Sequence, residues 1–203
     1  MRIVHLSDTH GRHSELVDLP TADIIVHSGD FTMGGSEQEA YDFMNWFCDL
    51  HYKHKVFIAG NHDDCMYGAS KIEGLPENVH YLMNSGVEIE GLKFYGVPLF
   101  MQDCKDGSYE RLFENIPDDT DILVTHQPPM GILDLTDYGT GKKHHGNSAL
   151  MNRIDQLHLK YHLFGHEHET NGIIRLNDTV FSNAAVLDRH YEWQFKPRVI
   201  QLK

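Results

Sequence analysis

Apolar residues fall along the chain in short runs, each stopped by a polar, glycine-rich turn. Residues 3–6 predict a strand that runs into Ser7-Asp8-Thr9-His10-Gly11, and residues 23–27 a second that runs into Ser28-Gly29-Asp30. Residues 37–50 change the rhythm: Phe43, Phe47 and Leu50 share one helical face, and Ser36 is placed to cap the first turn. A third strand over 55–59 runs into Gly60-Asn61-His62-Asp63, and residues 86–90 and 92–96 flank Gly91 as the arms of a hairpin do. The pattern then predicts a short helix over 109–115, a strand over 121–125 ending at His126, and a long mobile loop over 131–146. A helix over 148–158 leads to a strand over 161–164 that ends at Gly165-His166-Glu167-His168, and 172–176, 179–182 and 198–202 read as strands. Alternation of strand and helix, giving way to strands, predicts a mixed α/β fold: a two-sheet sandwich flanked by helices. No repeat, low-complexity tract or linker divides the 203 residues, so one domain over 1–203 is expected.

Composition narrows the function. With 40% hydrophobic and 23% charged residues, the chain can bury a core, which excludes a disordered class. Its formal net charge of −13, with no long Lys/Arg run, opposes binding of a nucleic acid polymer. A phosphorylated substrate would need positive charge supplied locally. The three cysteines, Cys48, Cys65 and Cys104, are odd in number and far apart, which disfavours a disulfide framework or a cysteine zinc site and suits a reducing compartment. The N-terminal strand lacks the apolar segment of a signal peptide, and no run of about 18 apolar residues follows, so a cytoplasmic chain without a membrane partner is expected. Histidine is the outlier, with 16 copies, and points to metal binding or proton transfer where its positions agree.

They agree at the strand ends. Five predicted strands finish in polar tips: Asp8 and His10; Asp30; Asn61 and His62; His126; His166 and His168. Ligands of open α/β sheets bind beyond the carboxyl ends of strands, so the tips are expected to converge. Singly, an aspartate after a strand is more ordinarily a turn or cap residue. Jointly, the tips offer oxygen and nitrogen donors, without sulfur, for a divalent metal.

The ordered series Asp8-Thr9-His10, Gly29-Asp30, Gly60-Asn61-His62-Asp63, His126 and Gly165-His166-Glu167-His168 resembles the calcineurin-like metallophosphoesterases. The stretch Thr125-His126-Gln127-Pro128-Pro129, the short length and the lack of a large cap are similar to the small branch of class III cyclic nucleotide phosphodiesterases and metallophosphoesterase-domain (MPPED) proteins. The resemblance implies two divalent cations, Mn, Fe, Zn or Co, with Mn favoured in vitro. Asp8, His10 and His168 would hold the first, Asn61, His126 and His166 the second, and Asp30 would bridge them. It implies hydrolysis of a small phosphate ester by a water activated between the cations, with His62 donating a proton to the leaving group. Asp63 would orient His62, or cap the helix after it. A phosphodiester such as a cyclic nucleotide is the expected substrate. A phosphomonoesterase or Ser/Thr protein phosphatase ranks second, because Arg12 is the only arginine near the motifs in sequence. A non-catalytic scaffold ranks last, because the motif residues are all present.

The remaining chemistry-bearing residues carry weaker expectations. His5 and His27, inside strands, are expected to be core or supporting groups. His13 is expected to be exposed, Cys65 to be a buried apolar group, and Lys142-Lys143-His144-His145 to be a solvated loop face rather than a phosphate contact. Specificity is expected in loops 33–35, 66–74, 100–107 and 131–146.

Overall fold

The computed structural model describes residues 1–139 and 141–202; Thr140, within the expected loop 131–146, and Lys203 lie outside the described residues. The strands are β1 (Arg2–Leu6), β2 (Ile24–His27), β3 (His54–Phe57), β4 (Val79–Tyr81), β5 (Ser85–Ile89), β6 (Leu92–Val97), β7 (Ile122–Thr125), β8 (Leu135–Thr136), β9 (Lys143–His144), β10 (Tyr161–Phe164), β11 (Gly172–Leu176), β12 (Thr179–Asn183) and β13 (Arg198–Gln201). The helices are α1 (Glu37–Asp49), α2 (Met101–Asp106), α3 (Tyr109–Leu112) and α4 (Ser148–Ile154).

Two mixed sheets form, ordered β13-β1-β2-β3-β4 and β11-β12-β10-β7-β6-β5. Strands β1 to β4 are parallel, as are β6, β7, β10 and β12, with antiparallel strands at the edges. Strands covered on both faces need apolar residues at successive positions, which is why their sequences read as unbroken runs. Ile3, Ile24, Val26 and Val56 of one sheet pack against Phe94, Ile122, Val124 and Leu163 of the other. Their neighbours Val4, Leu6, Ile25 and Phe57 face outward and meet Ala40, Phe43 and Phe47 of α1. On the far side Leu123, Phe164 and Phe181 meet Leu150 and Ile154 of α4 and Tyr109 of α3. The expected sandwich flanked by helices is the fold observed.

Helix α1 is set by its start. The Ser36 side chain accepts from the Glu39 amide while the Glu39 carboxylate accepts from the Ser36 amide, a reciprocal cap that satisfies two otherwise orphaned N–H groups. The structure differs from the sequence reading at short elements. β4 was not anticipated. α2 occupies the expected loop 100–107 and stops at Gly107, whose φ of 75° closes the helix in the left-handed region. α4 ends at Ile154 rather than 158, and the loop 131–146 contains the β8–β9 pair.

Three fully buried histidines tie these layers. His5 bridges the sheets, its two ring nitrogens each 2.9 Å from a serine hydroxyl, Ser182 on β12 and Ser28 after β2. His27 Nε2 donates to Thr9 Oγ1 (3.1 Å) and its Nδ1 accepts from the Gly29 amide. His162 Nε2 lies 2.9 Å from Thr125 Oγ1, whose own proton goes to the Gln127 carbonyl. Burial holds each of the three at a pKa of about 3. The folded state then keeps His162 neutral where the unfolded state, with a pKa near 6.5, takes up a proton. Stability is therefore complete above pH 6.5 and falls as pH drops toward 3, by about 2 kcal/mol per such group at pH 5. His162 is flanked by Phe164 and Phe181, so His162→Phe should fit and remove its share of this dependence. Urea unfolding at pH 7.5 and pH 5 should show the gap between the two pH values shrinking by about 2 kcal/mol in the variant; an unchanged gap would mean that His162 does not stay neutral.

Candidate metal centre

The five strand tips converge. Asp8 and His10 leave β1, Asp30 leaves β2, Asn61 and His62 follow β3, His126 follows β7, and His166 and His168 follow β10. The loops are laced by their backbones: the Asp8 amide donates to the Gly29 carbonyl (3.0 Å), His10 to Asp30 (3.1 Å), and Gly165 to His126 (3.0 Å). This lacing turns side chains inward at a conformational cost. Asp8, His10, Asp30 and His166 all sit at positive φ, between 42° and 68°, which non-glycine residues adopt only where surroundings enforce it.

Distances show what is gathered. His168 Nε2 lies 3.3 Å from Asp8 Oδ1, and His126 Nε2 lies 3.2 Å from Asp30 Oδ2. His10 Nε2 stands between the two carboxylates, 3.8 Å from Asp30 Oδ2 and 4.0 Å from Asp8 Oδ1. Two groups of donors, Asp8 with His10 and His168 and Asp30 with His126 and His166, each offer atoms lying within 4.8 Å of one another. The first group is the set that the resemblance implies for one cation; the second joins the expected bridge Asp30 to His126 and His166, two of the three residues expected for the other. A third group joins His62 to His10 and Asp30.

The donors fit a cation. Among the described residues, His10 Nε2 and the Asn61 amide oxygen are buried with no hydrogen-bond partner, a costly state for polar atoms unless a bound ion completes them. Two of the histidines are aimed by carbonyls: His126 Nδ1 donates to Ser28 O and His168 Nδ1 to Asp188 O, both at 2.8 Å, which leaves each Nε2 toward the carboxylates. Electrostatics agree. Burial alone would raise both carboxyls, but His168 and its neighbours hold Asp8 well below the usual range, and His126 holds Asp30 at about 2. Burial opposes charge on His126 and His168 too, yet Asp30 and Asp8 respectively lift them to about 10 and about 9. A divalent cation displaces such protons when it binds.

Asp63 takes a different part from the one expected. Its Oδ2 accepts from the amides of Gly60 (2.8 Å), Asp30 (2.9 Å) and Phe31 (3.4 Å), and its Oδ1 from the amide and hydroxyl of Thr32 (both 2.9 Å). Both oxygens are thus occupied by the loops that carry Asp30 and Asn61. It neither orients the His62 ring nor caps the helix that follows, for the short turn after it has no side-chain cap. The His62 ring is aimed by the Met33 carbonyl, which accepts from Nδ1 at 2.9 Å, and the His62 amide donates to Asp30 Oδ1 at 2.8 Å.

Other expectations divide. His5 and His27 are core groups. His13 is buried, not exposed, with its ring 5.1 Å from Trp46 and 5.6 Å from Phe43. Cys65 is half-buried, its thiol 3.4 Å from the Ser36 carbonyl. Lys142, Lys143 and His144 are exposed, as expected of a solvated loop face, and His144 also pairs with buried Asp134 at 2.7 Å. Arg12 is engaged elsewhere: Glu15 (3.0 Å), Glu192 (3.2 Å) and the Tyr191 carbonyl (2.6 Å) take its guanidinium.

A cleft of about 180 Å³ opens over the cluster, lined by Asp30, Asn61, His62, His166 and His168 and walled by Tyr138, Arg189 and Tyr191. The last three were missed in the sequence. Tyr138 sits in the loop 131–146, held by its hydroxyl on Glu167 Oε2 (2.8 Å). Arg189 and Tyr191 follow β12, and the sequence carries their signal: the apolar run 184–187 stops at Asp188-Arg189-His190-Tyr191, a sixth polar tip.

The comparisons fit this geometry. The sequence profile of the calcineurin-like phosphoesterase family matches residues 1–170. Human metallophosphoesterase domain-containing protein 1 is 31% identical over 99% of this chain and 71% of its own length. A UPF0046 protein of Caenorhabditis elegans is 31% identical over 100% of this chain and 75% of its own length. One solved crystal structure, 14% identical, superposes with a TM-score of 0.60 over 100% of this chain and 99% of the other, a likeness in fold. With the profile spanning all five motif blocks, the chain belongs to the calcineurin-like phosphoesterases and is a metal-dependent phosphoester hydrolase.

Proposed function

We propose that the protein hydrolyses small phosphodiesters, with cyclic nucleotides the expected class. The observation that carries this reading is the charge of the cleft rim. Asp30 lines it, Glu169 and Asp188 lie next to Arg189, which is the one lysine or arginine among the described lining residues, and the chain's net charge is −13. A monoanionic diester meets less repulsion there than a dianionic monoester or a polymer. A second reading, phosphomonoester hydrolysis, is supported by Arg189 itself. No helix among the described residues is long and apolar enough to cross a membrane. Three unpaired thiols, Cys48, Cys65 and Cys104, support placing the chain in the cytoplasm.

In this reading Asp8, His10 and His168 would hold one cation and Asn61, His126 and His166 the other, with Asp30 between the two sets. Mn, Fe, Zn or Co suits such mixed oxygen and nitrogen donors. When bound, the two cations supply Lewis-acid stabilisation of phosphoryl charge and lower the pKa of water toward neutrality. The chain's own groups do the rest. His62, fixed through Nδ1 by Met33, keeps Nε2 for a proton that passes to the leaving oxygen. Asp63 positions Asp30 through backbone amides. Ser28 and Asp188 set the tautomers of His126 and His168, and Tyr191 walls the cleft against the His10, His62 and His168 rings, at centroid distances of 4.8, 6.3 and 5.8 Å.

Assays of p-nitrophenyl phosphate and its bis ester, with Mn and with chelator, test the reading. Turnover should need Mn, and kcat/KM should be higher for the diester. A clear preference for the monoester would transfer the assignment to the second reading.

A further inference from the structure

The segment after β12 carries a feature that the metal scheme does not use. Residues 188–192 form a tight turn: the Asp188 amide donates to the Glu192 carbonyl (2.8 Å), Tyr191 to the Asp188 carbonyl (2.9 Å), and the Asp188 carboxylate accepts from His190 (2.8 Å) and Glu192 (3.0 Å). The turn is fastened on two sides, to His168 through the Asp188 carbonyl and to Arg12 through Tyr191 and Glu192. Its position relative to the candidate ligands is therefore fixed, and it sets Arg189 in the cleft wall.

Arg189 is exposed, and among the described residues its guanidinium meets no carboxylate; its Nε faces His190 Nε2 at 3.3 Å, and only its amide bonds Glu169. Arg12 and Arg153, by contrast, are spent on Glu15, Glu192 and Asp118. A guanidinium whose one side-chain bond is to a neighbouring imidazole, and which no carboxylate among the described residues neutralises, lines a cleft of about 180 Å³ in a chain of net charge −13. It is placed to receive an anion.

We propose that Arg189 is a specificity-determining residue of the cleft: it binds the substrate phosphate and strengthens the binding of dianionic monoesters more than that of monoanionic diesters, which narrows the preference for diesters. This rests on the phosphoesterase reading. The planar fork of arginine matches two phosphate oxygens at once. A phosphomonoester carries about −1.5 to −2 at pH 7, against −1 for a diester, so loss of one cation weakens the monoester more.

The test uses the Mn-loaded protein with Arg189→Gln and Arg189→Lys. KM and kcat are measured for p-nitrophenyl phosphate and its bis ester, and the Kd of phenylphosphonate by calorimetry. Arg189→Gln should raise the monoester KM and the phenylphosphonate Kd roughly tenfold, with a smaller rise for the diester and little change in kcat. Lysine should restore part of the binding. An unchanged phenylphosphonate Kd, or an equal loss for both esters, overturns the proposal, and Mn-dependent turnover by the wild type would then leave the phosphoesterase reading standing. Should the wild type hydrolyse neither ester, calorimetry still decides: Arg189-dependent phosphonate binding upholds the anion site, and no phosphonate binding by the wild type overturns it.

Discussion

His62→Ala should lower kcat by about 10²- to 10⁴-fold, the range that loss of a positioned proton donor costs, without changing metal content. The ring is held by one hydrogen bond to the Met33 carbonyl and by an edge contact with His10, its centroid 4.6 Å away. Deleting it leaves the residue 62 amide, and so the contact with Asp30 Oδ1, in place. The deficit should depend on the leaving group. An alkyl phosphate ester, whose departing oxygen needs a proton, should suffer more than a p-nitrophenyl ester, whose departing oxygen does not. The third donor group, His62 with His10 and Asp30, sets the competing outcome. If elemental analysis finds the variant short of metal, and both kinds of ester lose rate equally, His62 is a ligand rather than a proton donor.

Gly165→Ala should be nearly as damaging from further away. A Cβ there would lie 2.1 Å from Ser7 Oγ and 2.2 Å from Asp8 Oδ2. Neither atom can step aside easily. Ser7 is buried and donates to the Gly29 carbonyl, and the Asp8 carboxylate accepts from the His166 amide. Either the β1 loop or the β10 loop must shift by about an ångström, enough to cost on the order of 10²-fold in kcat/KM. The strain should also lower stability by about 1–3 kcal/mol. Turnover with a Mn titration is the measurement. A variant that binds Mn like the wild type and keeps its rate would show that the loops yield without disturbing Asp8. Gly60 is under the same constraint, with a Cβ position 2.2 Å from Asp30 Oδ1.

These glycines explain why the centre was legible in the sequence. Gly29, Gly60 and Gly165 each precede a polar residue at a strand end, and the short strands before them are apolar on both faces, so order and spacing carried the information. What was not legible lacks such a signal. The β8–β9 pair exists because Asp134 gathers the amides of Gly131 (2.9 Å) and Gly146 (3.0 Å) together with His144, and because Thr136 and Tyr138 bond Glu167. Those contacts are tertiary, and strands of two residues have no period to read. Asp63 was misread for a related reason. Proximity in sequence suggests a partner for His62, whereas, the Gly60 amide apart, the partners of Asp63 lie 31 to 33 residues away in the loop after β2. Arg189 escaped notice because it lies beyond the last recognisable motif block, on a turn whose place depends on His168.

The division of the donors between the sheets has a consequence for how the protein comes to be active. Asp8, His10, Asp30 and Asn61 hang from the sheet built on β1 to β4, while His126, His166 and His168 hang from the sheet built on β7 and β10. Each proposed ion draws donors from both, so neither sheet owns a complete half of the centre. In the proposed scheme the ions would act as rivets across the seam. A chain whose sheets have formed but not yet come face to face has no high-affinity metal site, and one loaded with metal resists their separation. Metal affinity during refolding is therefore a clock for sheet docking, and mutations in the inter-sheet layer around Ile3, Val124 and Leu163, far from any substrate, should register first as a loosened grip on metal.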